Sequence, residues 1–304
     1  MANLKKYKAK KLFKNLISGA ILIFLAVAFF LTNTKENYWK NISENLDISS
    51  QSVNCDMKVH FLNVGDADCA YIKCGDYKIL IDAADKEPSD TVCEYLIKHN
   101  VKKLDLVIMS HPHRDHIGQM KSIIDNFDID KFVQSDIPEN ILPTSVTYEN
   151  MLKSLVDKKV NTKTLGAGDN FNLGDLKFKI LGPVKSSENL NNCSLVVKIE
   201  YKDVSFLFTG DAEKAEEYSM LKSVRNLNAT VLKVGHHGST TSTTANFLKA
   251  VHPKYAVISS EDKQNKNSVI KRLEESCERV YKTYENGNII FITDGKNIDI
   301  KTEK

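Results

Sequence analysis

A dense run of metal-ligand side chains, His-Pro-His-Arg-Asp-His at residues 111–116, constrains this chain more than any other feature. Imidazole and carboxylate are ligands that a zinc-like ion prefers. In an extended segment His111 and His113 point to the same side, while Asp115 and His116 stand where the chain turns into the next apolar segment. The two pairs can therefore face two neighbouring cations. The run predicts a two-metal site, and a surface loop that happens to be rich in histidine is the alternative.

Three short apolar segments end at side chains of this kind, which is typical of buried strands that deliver a site at their carboxyl ends. The segments are residues 104–109, 204–209 and 229–235. The first ends at the histidine-rich run, where Pro112 keeps the preceding residue extended. The second ends at Asp211, whose two carboxylate oxygens can each take one cation. The third ends at His236, which falls in step with one face of its strand, and these three strand ends are therefore predicted to meet.

These segments, in this order, resemble the metallo-β-lactamase superfamily and, within it, the hydrolase domain of the ComEC competence proteins. The resemblance spans about residues 57–300. The matching stretches are residues 60–68, 81–84, 111–118, 192–197, 209–211, 232–239, 286–287 and 294–295. The resemblance implies an α/β fold, an αββα sandwich with the metals at one edge between two sheets. Strand-like and helix-like segments alternate without a Pro/Gly/Ser-rich linker, which agrees with one such domain at residues 55–304.

The resemblance also implies two divalent cations, zinc or manganese, and a role for individual residues. The metal ligands it implies are His111, His113, Asp115, His116, Asp211 and His236. One cation would lie beside His111, His113 and Asp211, and the other beside Asp115, His116, Asp211 and His236. The residues expected to act in the reaction are Asp115, Asp211 and His237. The residues expected to orient ligands or to contact substrate are Asp82, Asn192, Ser194 and Ser239.

The chain departs from the superfamily pattern in ways that bear on the metals. Most members supply a further histidine before the bridging aspartate, yet residues 117–235 contain no histidine. The cation beside His111 and His113 is therefore expected to lack one imidazole and to leave first under mild chelation. The family commonly has glycine where Ala84 stands, and often a His-Pro pair where this chain reads Asn265-Lys266.

The amino-terminal region, residues 1–54, differs in kind from the rest. Six lysines precede residues 16–32, which carry no charge and are rich in Leu, Ile, Ala and Phe. This pattern predicts one transmembrane helix over about residues 16–32. The lysines would remain in the cytoplasm, which makes the protein a single-pass cell-membrane protein with an extracellular catalytic domain. The alternative is cleavage of the segment as a signal peptide and secretion of the mature domain.

Charge limits the ways in which the domain can recruit a polyanion. Residues 1–40 hold eight lysines and one glutamate, so a whole-chain charge of +3 leaves the remainder acidic overall. An acidic domain has no global field that attracts nucleic acid, and any hold on nucleic acid must come from local patches and from the metals.

A metal-dependent hydrolase is the leading interpretation, since two adjacent cations generate hydroxide near neutral pH and stabilise charge on the attacked group. Resemblance to ComEC-like proteins favours a phosphodiesterase or nuclease, with a phosphodiester substrate, possibly DNA, as partner. One alternative is hydrolysis of another ester or amide, such as a choline phosphoester or a β-lactam. A second alternative is a non-enzymatic DNA-uptake or surface-binding module, which would need no metal.

Overall fold

The computed structural model describes residues 56–86, 90–261 and 266–304 of the chain. These residues lie within one compact unit, Gln51–Lys304. The predicted transmembrane helix at about residues 16–32 lies outside the described residues. Within the described ranges, no helix has both the length and the apolar character that are needed to span a bilayer.

Strands dominate the described part of the chain, with short helices between them. The strands are β1 (Met57–Phe61), β2 (Ala70–Cys74), β3 (Tyr77–Ile81), β4 (Lys103–Leu104), β5 (Leu106–Ile108), β6 (Asp128–Ile129), β7 (Phe132–Ser135), β8 (Thr162–Leu165), β9 (Asn170–Leu173), β10 (Leu176–Gly182), β11 (Val196–Tyr201), β12 (Val204–Phe208), β13 (Val231–Lys233), β14 (Tyr255–Ile258), β15 (Arg279–Lys282), β16 (Ile289–Thr293) and β17 (Ile298–Thr302). The α-helices are α1 (Thr91–Lys98), α2 (Arg114–Ile117), α3 (Met120–Asn126), α4 (Val146–Asp157), α5 (Lys214–Ser223), α6 (Ala245–Val251), α7 (Asn267–Glu274) and α8 (Thr283–Asn286). Short 3-10 turns cover Glu139–Ile141, Leu190–Cys193 and Gly235–Gly238.

Two large sheets are built from these strands, and each changes from antiparallel to parallel pairing along its width. The first has the order β17-β16-β1-β2-β3-β5-β7-β8, with parallel pairing from β3 to β8. The second has the order β15-β14-β13-β12-β11-β10-β9, with parallel pairing from β15 to β12. The carboxyl ends of parallel strands meet at one edge of a sheet, so each sheet has an edge suited to a site.

The two sheets pack face to face through aromatic side chains. The ring centroids of Phe61 and Phe208, one from each sheet, lie 5.8 Å apart, and those of Phe206 and Phe291 lie 5.9 Å apart. Alternate residues of the same strands point outward, because side chains along a strand alternate between faces. The outer face of the first sheet packs on α1, α3 and α4, and that of the second packs on α5, α6 and α7. The predicted αββα sandwich is therefore confirmed.

One predicted strand is divided in the structure. Residues 104–109 form two pieces, because β4 pairs with β6 in a separate ribbon while β5 joins the first sheet. The break falls at Asp105, whose carboxylate accepts a hydrogen bond from the Lys78 backbone N–H at 2.8 Å. A side-chain acceptor at this point replaces one ladder partner and lets the chain change sheets. The apolar pattern of residues 104–109 did not reveal that the Asp105 side chain would take this hydrogen bond in place of a backbone carbonyl.

Candidate metal centre

The loops that follow β5, β12 and β13 meet where the two sheets come together. The Leu195 backbone N–H donates to the Ser110 carbonyl at 2.8 Å, which ties the loop after β5 to the strand that precedes β12. Gly210 has a left-handed φ of 50°. A Cβ atom at this position would lie 2.9 Å from Ser110 Cβ and from Ser194 Oγ. Only glycine allows so close an approach, and it brings the next residue, Asp211, to the end of the first sheet.

Asp211 lies at the middle of the cluster and is only 1% exposed. Its Oδ1 atom is 3.3 Å from His116 Nε2. Its Oδ2 atom faces three other rings, at 3.8 Å from His111 Nε2, 3.7 Å from His236 Nε2 and 3.6 Å from His237 Nε2. Its backbone N–H donates to Ser194 Oγ at 3.0 Å, which fixes the carboxylate among the four imidazoles.

One compact ligand group consists of Asp115, His116, Asp211 and His237, whose ligand atoms all lie within 4.8 Å of one another. The closest pair is His237 Nε2 and Asp115 Oδ2, at 3.1 Å. From the sequence, His236 is predicted as the ligand in this group, and His237 is expected to act in the reaction without binding a cation. In the structure His237 takes the position that was predicted for His236.

The exchange of the two histidines has its cause in the backbone. Strand β13 ends at Lys233, so the alternation that put His236 on the core-facing side does not continue as far as that residue. His236 and His237 both have left-handed conformations, with φ of 50° and 51°. The His236 backbone N–H donates to the Gly210 carbonyl at 3.1 Å, a contact that holds this turn against the loop of Asp211.

A second pair of imidazoles, His111 and His113, lies next to the compact group, with the ring centroids of His111 and His116 4.2 Å apart. His111 Nε2 and His113 Nδ1 are 2.9 Å apart, and the side chain of His111 is fully buried. The Ser194 hydroxyl lies 3.4 Å from His111 Nδ1 and supports that ring from behind. Asn192 instead accepts a hydrogen bond at its Oδ1 atom from the Glu213 backbone N–H, at 3.0 Å. Ser239 contacts Thr241, with the two hydroxyl oxygens 3.1 Å apart.

Carboxylates and a carbonyl hold the outer nitrogens of the compact group. His116 Nδ1 lies 2.9 Å from Asp82 Oδ2, and Asp82 also accepts from the Ser110 backbone N–H and hydroxyl, each at 2.7 Å. His237 Nδ1 lies 3.3 Å from Asp68 Oδ1 and 3.2 Å from the Ser259 carbonyl. Such partners fix the tautomer and the orientation of a ligand ring, so that Nε2 carries the free lone pair.

Asp68 and Lys233 were not singled out from the sequence, although they form a buried ion pair beside the centre. Lys233 Nζ lies 2.8 Å from Asp68 Oδ1, and both side chains are buried. Burial by itself raises the pKa of Asp68, but Lys233 and His237 outweigh it and hold this pKa below its usual range. A signal for the pair existed, because Lys233 is the one charged residue in an otherwise apolar predicted strand at residues 229–235.

The electrostatics of the cluster fit a cation. Burial lowers the pKa of His111 well below its ordinary value. For His116 burial also acts to lower the pKa, yet Asp211 and Asp82 outweigh it and raise the pKa. His116 Nε2 and Asp211 Oδ1 are both buried without a hydrogen-bond partner. Buried polar atoms are rarely left unpaired, and a divalent metal ion between them satisfies both, so the residues fit a metal centre.

Ala84 stands where the superfamily commonly has glycine. Its φ is 54°, in the left-handed region that glycine adopts without strain. Its backbone N–H donates to the Asp68 carbonyl at 2.9 Å, and its own carbonyl accepts from the Gly118 N–H at 2.7 Å. These contacts hold the loop after β3 against the histidine-rich run, and they form with alanine at this position.

The chain is similar in sequence to parts of longer proteins. The chain is 32% identical over 201 residues to ComE operon protein 3 of Bacillus subtilis, which covers 64% of this chain and 25% of that protein. It is 31% identical over 160 residues to Recombination protein 2 of Haemophilus influenzae, which covers 52% of this chain and 18% of that protein. The chain thus spans a quarter or less of these two relatives.

Solved structures share the fold at low sequence identity. The metallo-beta-lactamase fold protein YhfI from Bacillus subtilis superposes with a TM-score of 0.55 at 14% identity, over 78% of this chain and 100% of that chain. Igni18, a metallo hydrolase from Ignicoccus hospitalis, superposes with a TM-score of 0.50 at 16% identity, over 78% and 98% of the two chains. Residues 62–260 match the family described as the metallo-beta-lactamase superfamily. The chain therefore belongs to the metallo-β-lactamase superfamily.

Proposed function

We propose that this protein is a metal-dependent phosphodiesterase that acts on DNA or on a similar polyanionic phosphodiester. The observation that carries the metal-dependent part is the buried carboxylate of Asp211, which faces four imidazoles while its Oδ1 atom and His116 Nε2 have no hydrogen-bond partner. The phosphodiester part is supported by the relatives, one of which is named a competence protein, ComA of Neisseria gonorrhoeae.

The ligand residues divide naturally around Asp211. Asp115, His116 and His237 form the compact group with it, and His111, paired with His113, approaches its Oδ2 atom at 3.8 Å. Two divalent cations bound by these residues would supply Lewis acidity and a nucleophile near neutral pH. No serine or cysteine nucleophile is then needed. The carboxylates of Asp115 and Asp211 would offset part of the added positive charge, and Asp68 and Asp82 behind the rings add two further negative charges.

The exposure of the cluster defines the side from which substrate arrives. His111, His116 and Asp211 are buried, whereas Asp115, His113 and His236 keep part of their side chains in contact with solvent. A phosphate group therefore approaches over these three residues. Asp82 and Asp68, behind the buried rings, hold His116 and His237 in place during the reaction through their contacts with Nδ1.

The test is hydrolysis by the full-length chain, first stripped with a chelator and then given zinc or manganese. Bis(p-nitrophenyl) phosphate and linear single-stranded and double-stranded DNA are the substrates, and a β-lactam, a thioester and a choline phosphoester are the comparisons. We expect phosphodiester cleavage that requires added metal. Cleavage of a lactam or thioester alone would show that the phosphodiester assignment is wrong. DNA binding that survives chelation, without cleavage of any substrate, would favour a binding module.

We also propose that residues 16–32 anchor the protein with its hydrolase domain outside the cell. The proposal rests on six lysines followed by an uncharged apolar segment. Protease added to intact cells should then digest the domain, while a cytoplasmic control protein stays intact. Complete protection of the domain would contradict the orientation. A soluble form in the medium, with a new amino terminus near residue 29, would favour cleavage and secretion instead.

A further inference from the structure

His236 is the candidate for the imidazole that the cation beside His111 and His113 lacks. No histidine lies between residues 117 and 235, so the cation beside His111 and His113 has no third ring from that part of the chain. In the structure His236 Nε2 lies 3.7 Å from Asp211 Oδ2. The same oxygen lies 3.8 Å from His111 Nε2 and 3.6 Å from His237 Nε2. His237 also contacts Asp115 Oδ2 at 3.1 Å and belongs to the compact group, whereas His236 faces this carboxylate from outside that group, as His111 does.

The ring of His236 has its Nδ1 atom beside side-chain oxygens and its Nε2 atom toward Asp211. Its Nδ1 atom lies 3.0 Å from Thr241 Oγ1 and 3.4 Å from Glu213 Oε1. These oxygens accept the Nδ1 proton and leave the lone pair on Nε2, which faces Asp211. His116 and His237 have the same arrangement, with carboxylates at Nδ1 and the centre at Nε2. This arrangement is characteristic of histidines that bind a metal ion.

The backbone conformation at residues 236 and 237 brings both rings to Asp211. Two consecutive non-glycine residues in the left-handed region are costly, at about 1–3 kcal/mol each, and here they are His236 and His237. The resulting turn places the two ring centroids 6.1 Å apart at an interplanar angle of 67°. A regular strand would have pointed successive side chains to opposite faces. The turn instead brings both Nε2 atoms to within 3.7 Å of the same carboxylate oxygen.

We propose that the tandem histidines are divided between two cations. His237 completes the group of Asp115 and His116, and His236 supplies the third imidazole beside His111 and His113. The inference rests on the proposed metal centre and adds to it the source of the missing ligand. It also replaces the expectation that the cation at His111 and His113 leaves first. That cation would then have three imidazoles and Asp211, and the other cation would have two imidazoles, Asp115 and Asp211.

Histidine-to-asparagine variants test the division with a matched control. His236, His237 and His252 all have left-handed φ angles, 50°, 51° and 46°, and asparagine tolerates that conformation. His252 is exposed and lies outside the ligand group, so His252→Asn controls for the substitution itself. Each full-length variant is stripped, loaded with limiting zinc and measured by elemental analysis, and its circular dichroism is compared with that of the parent.

The double variant gives the decisive result. We expect about two zinc equivalents in the parent and in His252→Asn, and about one in His236→Asn and in His237→Asn. The affinity for the lost equivalent should fall by at least about tenfold. His236→Asn/His237→Asn should hold less than about half an equivalent, since each change removes a different cation. If both histidines served one cation, the double variant would keep the other equivalent, and the proposal would be wrong.

Chemical protection in the unaltered protein provides a measurement that does not depend on the folding of a variant. The side chain of His236 is 29% exposed, so a histidine-acylating reagent such as diethyl pyrocarbonate can reach it. Zinc should slow the acylation of His236, measured by mass spectrometry of peptides, and should leave that of His252 unchanged. Equal acylation of His236 with and without zinc would overturn the proposal.

Failure of this inference is distinguishable from failure of the proposed function. A parent protein with less than about half an equivalent of zinc or manganese would remove the metal centre altogether. A parent with two equivalents and a His236→Asn variant with unchanged stoichiometry and affinity would leave the metal centre intact and refute the role of His236 alone.

Discussion

Asp211→Ala is expected to reduce phosphodiester hydrolysis by at least about a thousandfold, the range found when a residue at the centre of a catalytic site is lost. Its carboxylate faces both sets of ligands, with Oδ1 toward His116 of the compact group and Oδ2 toward His237 of that group and toward His111. Removal of this carboxylate should therefore lower the occupancy of both cations together. His116→Ala, which removes a ligand of the compact group, should also abolish hydrolysis.

The measurement combines rates with metal content for the parent, Asp211→Ala and Asp175→Ala. Asp175 is exposed in the turn between β9 and β10, so its replacement controls for loss of a carboxylate. Circular dichroism and thermal melting of the metal-free proteins should stay close to those of the parent, while the stabilisation by added metal disappears. Full hydrolytic activity in Asp211→Ala would refute the two-metal mechanism.

Lys233→Met is expected to lower the free energy of unfolding by about 3 kcal/mol, the lower end of the cost of breaking a buried ion pair, because His237 remains beside Asp68. Lys233 Nζ and Asp68 Oδ1 are 2.8 Å apart, with side-chain exposures of 5% and 7%. Water therefore cannot take over the role of the ammonium group. Because Asp68 also holds His237 Nδ1, at 3.3 Å, the variant should bind metal more weakly as well.

Urea unfolding of chelated protein at neutral pH measures the free energy of unfolding without a contribution from bound metal. Lys177→Met is the matched control, because Lys177 is exposed on β10 and its replacement should change stability by less than about 0.5 kcal/mol. Asp68→Asn in the Lys233→Met background should recover a large part of the loss, since it removes the unpaired charge. A loss below about 1 kcal/mol in Lys233→Met would contradict a buried, charged pair.

Local patterns and the family resemblance together predicted the architecture and most members of the centre. The alternation of strand and helix predicted an α/β fold, and the resemblance to the metallo-β-lactamase superfamily implied the αββα sandwich. The run at residues 111–116 and the Gly210-Asp211 strand end predicted which side chains would come together. That prediction needed no knowledge of register, since the carboxyl ends of parallel strands meet at one edge whatever the details of the loops.

Other features depend on contacts between residues that are far apart in the chain. Asp105 divides one predicted strand by accepting a hydrogen bond from Lys78, which a window of neighbouring residues does not contain. Asp68 and Lys233 are separated by more than half the length of the described chain, so their pairing follows only from the packing of the two sheets. The predicted metal occupancy and the predicted membrane segment stay predictions.

The tandem histidines separate the two kinds of information most clearly. The sequence by itself determined that imidazoles would follow β13 and would meet Asp211, because strand order and ligand type are local properties of the chain. Only the tertiary structure decided which ring faces which group. That choice depends on a left-handed turn held by the hydrogen bond from the His236 N–H to the Gly210 carbonyl, and by the contacts of His237 with Asp68 and Asp115. An isolated segment has no partner to stabilise such a turn, so its sequence could not specify the orientation of either ring.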